Sequence, residues 1–407
     1  MLNLKKINSS LLPYSVTLAP CRAIFYALFG LSLGACTQID NYLLGKDNTP
    51  SPAELSPIST KKTSLLEKWS LPGVSSKQKA TDLQLKPAIL GSTLYVAESK
   101  GTIKAMDRFT GKMVWSKKIN HTIVSGPTVA AGYMAVGTDA ATIVLMKQDG
   151  TFVREFNVSS DVLSKPLLLN DTLIAKTMDG KLYAFEIASG KTRWVADHGA
   201  PSLILKASSA PVKVGQNLIL VGYPDGQLDA IDLTTGRTIW QRPFAYTKGG
   251  ASDVERLVDI DADPLVEHGI VYLASYQGYV GALSLQDGQF IWRQPASVYK
   301  NMVMDGRSLY FTDSDDVIWS IDKHSGHVRW KQEKLKARGL TEPVLTGKRL
   351  VFGDKTGMLH VLAVQDGEFL SRTQLNGAVT VGPSIANSDN NLYVMTNQGQ
   401  LSRFAVS

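Results

Sequence analysis

An eleven-residue phrase recurs along this 407-residue chain and limits its fold more than any other feature. One copy runs from Ala105 to Trp115 as Ala-Met-Asp-Arg-Phe-Thr-Gly-Lys-Met-Val-Trp. Another runs from Ala230 to Trp240 as Ala-Ile-Asp-Leu-Thr-Thr-Gly-Arg-Thr-Ile-Trp. The phrase reads as the end of one strand, a tight turn and the start of the next. Small Ala permits close packing, Asp and Thr bond into the turn, and Gly supplies a positive φ. Trp closes the phrase as a large apolar plate with one N–H to satisfy.

The turn glycine returns at Gly111, Gly150, Gly190, Gly236, Gly288, Gly326 and Gly367. Four residues later stand Trp115, Arg154, Trp194, Trp240, Trp292, Trp330 and Ser371. A proline opens the first strand of most copies, at Pro87, Pro127, Pro166, Pro211, Pro264, Pro343 and Pro383. The copy near Val303 lacks it. Proline at a strand start costs no ladder bond. Alternating strands with hairpin turns and a period near 40 residues describe four-stranded antiparallel blades of an all-β propeller. The count is eight. The last copy ends after Ala405 without its Trp-bearing strand, and Leu65-Leu-Glu-Lys-Trp69 is such a strand without a partner. The N-terminal strand is therefore expected to complete the eighth blade and close the ring, which removes an unpaired edge. Six of the seven Trp then serve blade packing; Trp319 falls outside the phrase and is expected to be partly exposed.

The chain divides into residues 1–35, 36–63 and 64–407. An apolar run from Ala23 to Leu33 follows a basic stretch and ends in Leu33-Gly34-Ala35-Cys36. The run has the length of a signal-peptide core and is short for a membrane span. Its end resembles the bacterial lipobox, in which cleavage precedes a Cys that then carries lipid. An ordinary secretory signal with an incidental Cys is the alternative. Acyl chains contribute ~0.8 kcal/mol per buried CH₂, so a multiply acylated Cys36 would anchor the chain stably. Thr37 in place of Asp points to the outer membrane under the proteobacterial sorting pattern. Residues 36–63 are rich in Pro, Ser, Thr and Asn and read as a flexible tether.

The formal charge is +7, and three of these charges, Lys5, Lys6 and Arg22, lie in the leader. The rest alternate in sign without a basic stripe, so a nucleic-acid role is not supported. Both cysteines, Cys21 and Cys36, precede the repeats, so the body has neither a disulfide scaffold nor a cysteine zinc site.

Most turn glycines are 38 to 41 residues apart, but Gly190 to Gly236 is 46 and Gly236 to Gly288 is 52. The extra residues fall between the Trp strand of one blade and the first strand of the next, in two neighbouring loops on one face. Long loops in a compact domain tend to be functional. One reads Pro201-Ser-Leu-Ile-Leu-Lys206, and the other contains Arg256-Leu-Val-Asp-Ile-Asp261. Apolar residues beside a rim of charge suit a protein contact. The alternative is that the leucines tuck under their own loop.

The phrase resembles the tryptophan-docking motif of pyrroloquinoline-quinone dehydrogenases, which are also eight-bladed. That class usually needs a vicinal Cys pair and carboxylates on calcium, and the body has no Cys. Asp259, Asp261 and Asp263 alternate, yet Pro264 and Ile270 stand where an EF-hand loop needs Gly and Glu. His324 and His327 flank a turn and are expected to be exposed. No phosphate loop, Gly-x-Ser-x-Gly or acid–base pair appears. No cofactor or metal is expected, and a quinoprotein-like oxidoreductase or ligand-binding propeller is the competing class.

Taken together, the lipobox, the tether, eight repeats closed by an N-terminal strand and the two loops resemble the BamB family of outer-membrane assembly lipoproteins. The resemblance implies a non-catalytic scaffold facing the periplasm from the outer membrane. It implies contact with the POTRA domains of BamA through Leu203, Leu205, Lys206, Asp259 and Asp261, within the barrel-assembly complex. The family has Arg where this chain has Lys206, which lacks the bidentate fork. Unfolded outer-membrane proteins are possible clients, through β-augmentation at the outer blade edges.

Overall fold

A computed structural model describes residues 50–58, 63–77, 85–199, 209–245, 258–386 and 388–406. The strands form eight four-stranded antiparallel sheets. Blades 1 to 7 span 88–118, 123–157, 167–197, 212–243, 265–295, 303–332 and 344–374, each a simple meander. Blade 8 takes three strands from 384–406 and its outermost strand, Leu65–Leu71, from the other end of the chain. Leu65 pairs with Val406 and Leu71 with Leu401, with a bulge between Glu67 and Trp69. The expected closure of the ring is observed.

The repeated phrase explains why the blades stay together. Asp232 Oδ1 accepts the N–H of Thr235 at 2.7 Å and its hydroxyl at 2.8 Å, which folds the turn. Gly236 then takes φ +72°. The indole of the previous blade lies on that turn and donates to a carbonyl beside it. Trp115 Nε1 donates to Gln148 O at 3.0 Å, Trp194 to Leu233 O at 2.9 Å and Trp240 to Leu285 O at 3.0 Å. Trp292 donates to Lys323 O and Trp330 to Val364 O, both at 2.9 Å. Trp69 donates to Arg108 O at 3.2 Å and so carries the rule across the closure from blade 8 to blade 1. Where blade 2 lacks Trp, Arg154 Nη2 donates to Ala188 O at 2.8 Å instead.

Between neighbouring blades the apolar faces merge. Leu94, Val96 and Met106 of blade 1 pack with Tyr393, Met395 and Leu401 of blade 8, all buried. Each such side chain stabilises by about 1.5–3 kcal/mol relative to exposure. The first strands converge on the ring axis, where Lys86 before blade 1 pairs with Glu342 before blade 7 at 3.0 Å. Gly382 makes room for this pair, since a Cβ there would sit 2.6 Å from Glu342 Cδ.

Two expectations are corrected. Trp319 is only 7% exposed. It stacks on Phe311 and donates to Asp313 Oδ2 at 2.8 Å, because its strand in blade 6 is covered on both sides. The stretch 36–63 is not wholly a free tether. Ala53 N–H donates to Lys336 O at 3.0 Å, and Leu55 joins the core beneath blade 7. His324 and His327 are exposed, as expected.

Candidate functional site

The two long connections leave adjacent blade boundaries, 198–211 between blades 3 and 4 and 244–264 between blades 4 and 5. Leu203, Leu205 and Lys206 lie outside the described residues, as do Arg256 and Leu257. Their roots are well defined, and the two roots meet.

The stretch from Val258 to Ala262 is threaded beneath the loop face rather than laid on it. Ile260 N–H donates to Tyr223 O at 3.2 Å, and Tyr276 N–H donates to Asp259 O at 2.8 Å. These bonds tie the stretch to the second turns of blades 4 and 5. Glycine makes the entry possible: a Cβ on Gly222 would lie 2.4 Å from Ile260 Cγ2. Val258 and Ile260 then fill the blade 4–5 core with Leu220, Leu228, Phe244 and Val271.

Asp259 and Asp261 are both buried, so the expected rim of charge is turned inward at these two positions. Blade geometry is the cause, since residues 258–262 run between two turns and are covered on both sides. Among the described residues the cation whose charge acts on both is Lys176, at the end of the second strand of blade 3. Lys176 is 3% exposed and its Nζ donates to Gly222 O at 2.6 Å. Burial pulls the ammonium down to about 8, against the attraction of Asp261, Asp263 and Asp259. Burial likewise pushes the Asp261 carboxyl up to about 7; Asp259 adds to this and Lys176 opposes it. Asp263 turns the other way, toward the axis, and accepts the Ala210 N–H at 2.7 Å.

The first loop starts from an equally fixed post. His198 stacks flat on Tyr223, with centroids 3.7 Å apart and planes 6° apart. Its Nδ1 lies 3.0 Å from Asp229 Oδ2 and its Nε2 lies 2.9 Å from Asp225 Oδ2. Burial disfavours the imidazolium, but the two carboxylates outweigh it and raise the group to about 9. His198 is therefore a cation at neutral pH, clamped from both ring nitrogens. Burial beside Asp229 and Asp225 pushes the Tyr223 phenol well above its usual range.

One assembly thus roots both loops: Lys176, His198, Tyr223, Asp225, Asp229, Asp259 and Asp261. Its charges are spent on one another, which suits a rigid platform better than proton transfer to a substrate. Sequence reasoning found the two aspartates and missed the rest. A signal for Lys176 existed. The second strands of the eight blades end in Ala97, Thr138, Lys176, Gly222, Ala274, Thr312, Gly353 and Met395, and Lys176 is the charged member of that series.

Comparison with known proteins places the chain in a family. A family model described as outer membrane protein assembly factor BamB matches residues 67–140 and 99–332. The BamB of Legionella pneumophila (strain Paris) is 54% identical over 387 residues, covering 95% of this chain and 99% of that protein. The Escherichia coli K12 protein of the same name is 29% identical, covering 77% and 82%. The crystal structure of BamB from Moraxella catarrhalis superposes with a TM-score of 0.76 at 24% identity, covering 84% of this chain and 100% of that one. A quinohemoprotein alcohol dehydrogenase from Comamonas testosteroni shares the fold, with a TM-score of 0.67 at 13% identity, covering 84% of this chain and 76% of that one. The span of the family-model match and the extent of the match to the Legionella protein show that this chain belongs to the family of the outer membrane protein assembly factor BamB.

Proposed function

We propose that the chain is a non-catalytic scaffold lipoprotein of the outer-membrane β-barrel assembly machinery. Lipid on Cys36 holds it at the outer membrane facing the periplasm. The two long loops dock on the periplasmic POTRA domains of BamA, and the complex assists folding and insertion of outer-membrane proteins.

The observation that carries this reading is the bond from Ile260 N–H to Tyr223 O, which fastens the root of the second loop to the platform under the first. Two loops on one rigid base act as one surface, and pre-organisation lowers the ordering cost of binding. Leu203, Leu205 and Lys206 supply the contact. Asp259 and Asp261, being buried, act by holding the turn that presents their loop.

The test is affinity purification from detergent-solubilised outer membranes. Leu203→Ala with Leu205→Ala is expected to remove BamA from the eluate while the thermal unfolding midpoint stays unchanged. BamA recovered at the wild-type level would eliminate the loops as the docking surface.

A further inference from the structure

The stretch before the first strand is fastened to the body around Ala53. Ala53 N–H donates to Lys336 O at 3.0 Å, and Arg338 Nη1 donates back to Ala53 O at 2.9 Å. Arg372 Nη1 donates to Ser56 O. Leu55 packs on the cluster that contains Leu335, Leu340 and Phe352. Arg338 is itself fixed: its Nε donates to the buried Asp354 at 2.7 Å and its Nη2 to Thr356 Oγ1 at 2.6 Å. Asp354 also meets His360 Nε2 at 3.0 Å. A proline-rich segment is therefore gripped through its backbone carbonyls by two arginines, one of them buried.

The grip lies at the boundary of blades 6 and 7. Lys336 and Arg338 belong to the connection between those blades, and Asp354 and Thr356 to the second turn of blade 7. In a four-stranded meander the ends of the second and fourth strands lie on the same face. The strap therefore shares a face with the two long loops, which leave the boundaries of blades 3 and 4 and of blades 4 and 5. Without the strap, 29 residues would separate Cys36 from the first strand at Leu65; with it, 17 separate Cys36 from Ala53. At ~3.5 Å per residue the maximum reach falls from about 100 Å to about 60 Å.

We propose that the strap at Ala53–Ser56 makes the rim between blades 6 and 7 the surface that this protein turns toward the lipid bilayer. The proposal rests on the reading of Cys36 as the lipid-bearing residue. Lys331, Lys334 and Lys355 are exposed on this rim and suit anionic headgroups, whereas Lys336 is paired with Glu333 at 2.8 Å and Glu54 adds an exposed carboxylate on the strap itself. The opposite boundary, between blades 2 and 3, then faces away.

The experiment uses the full lipidated chain in phosphatidylethanolamine–phosphatidylglycerol vesicles carrying an acceptor dye on the headgroups. A donor dye is placed on Lys334→Cys or on Asn157→Cys, at the two opposite boundaries. The expected result is at least twofold more efficient transfer from Lys334→Cys. Ala53→Pro with Leu55→Ser removes the amide donor and the apolar plug without touching a blade, and is expected to abolish the difference. Equal transfer from both positions in the parent chain overturns the proposal, as does a difference that survives Ala53→Pro with Leu55→Ser. The anchor is read separately: Cys36→Ser is expected to leave the vesicles, and retention there refutes Cys36 as the anchor. The strap is read in solution by amide exchange at Ala53. Exchange there is expected to be at least tenfold slower than in Leu55→Ser, and an unprotected Ala53 overturns the strap whatever the state of Cys36.

Discussion

The indole of Trp194 covers Gly236 of the next blade so closely that a Cβ on that glycine would lie 2.5 Å from Trp194 Cδ2. The same residue holds φ +72°. Two penalties therefore meet at Gly236→Ala: about 1–2 kcal/mol for the left-handed backbone and about 1–3 kcal/mol for displacing the ring. Gly215 separates them. It has φ +58° and nothing within 4 Å of a built Cβ. Urea unfolding is expected to show Gly236→Ala costing about 2–5 kcal/mol and Gly215→Ala about 1–2 kcal/mol. Equal losses would mean that the Trp–Gly contact does not hold the blades.

Arg154 tests whether the phrase needs Trp or only its hydrogen bond. Its guanidinium donates to Ala188 O where other blades use an indole, and it passes over Gly190 as the indoles pass over their glycines. Arg154→Ala removes both the donor and the cover, and is expected to lower stability by about 1–2 kcal/mol. Arg154→Trp restores the rule followed by blades 1, 3, 4, 5 and 6 and is expected to stay within about 1 kcal/mol of the parent. A Trp variant as unstable as the Ala variant would show that blade 2 is built around arginine.

The sequence was legible where residues act on near neighbours or by repetition. Each glycine turn is encoded within five residues, and seven copies with the closing N-terminal strand fix the architecture. The outer strand at Trp69 could be assigned to blade 8 because its register matched that of the other Trp strands. Burial that depends on a third element was not legible. Trp319 looked spare because its partner, Phe311, lies one strand away across a face whose covering residues come from another blade. Asp259 and Asp261 looked like surface charge because their counter-ion, Lys176, lies two blades earlier in the chain. The hold on Ala53 depends on Arg338, 285 residues away.

His198 makes stability depend on pH in a defined window. Its folded value is raised to about 9 from 6.5, so the folded state binds the extra proton between these values. Its contribution is full below about pH 6.5 and is lost as pH rises through 9. One such proton changes stability by up to ~1.4 kcal/mol per pH unit. Lys176 acts in the opposite sense from about pH 8 upward, because its folded value is depressed. The clean interval is therefore pH 7 to 8, above the raised Asp261 and below Lys176. Across it the parent is expected to lose stability and His198→Asn to lose measurably less. Identical slopes would show that Asp225 and Asp229 do not hold a charged imidazole.

Lys176 is the test of the platform as a unit. Replacing it by methionine keeps most of the volume and removes a cation that opposes the burial of Asp261. Breaking a buried pair in direct contact costs about 3–5 kcal/mol from one side, and Lys176 acts on Asp261 through its field rather than through such a contact. Here Asp261 already sits near neutrality and can take up a proton, so the expected cost of Lys176→Met falls toward about 2–3 kcal/mol. Asp261→Asn alone leaves Lys176 with Asp259 and the Gly222 carbonyl, so it is expected to cost about 1–2 kcal/mol. The double variant removes both charges, and its loss is expected to be smaller than the sum of the two by more than about 1 kcal/mol. The same double variant is expected to retain BamA better than Lys176→Met does, since it leaves one buried carboxylate in the turn at 259–261 instead of two. Additive losses would show that Lys176 and Asp261 do not share a network, and the second loop would then owe its placement to the apolar contacts of Val258 and Ile260 alone.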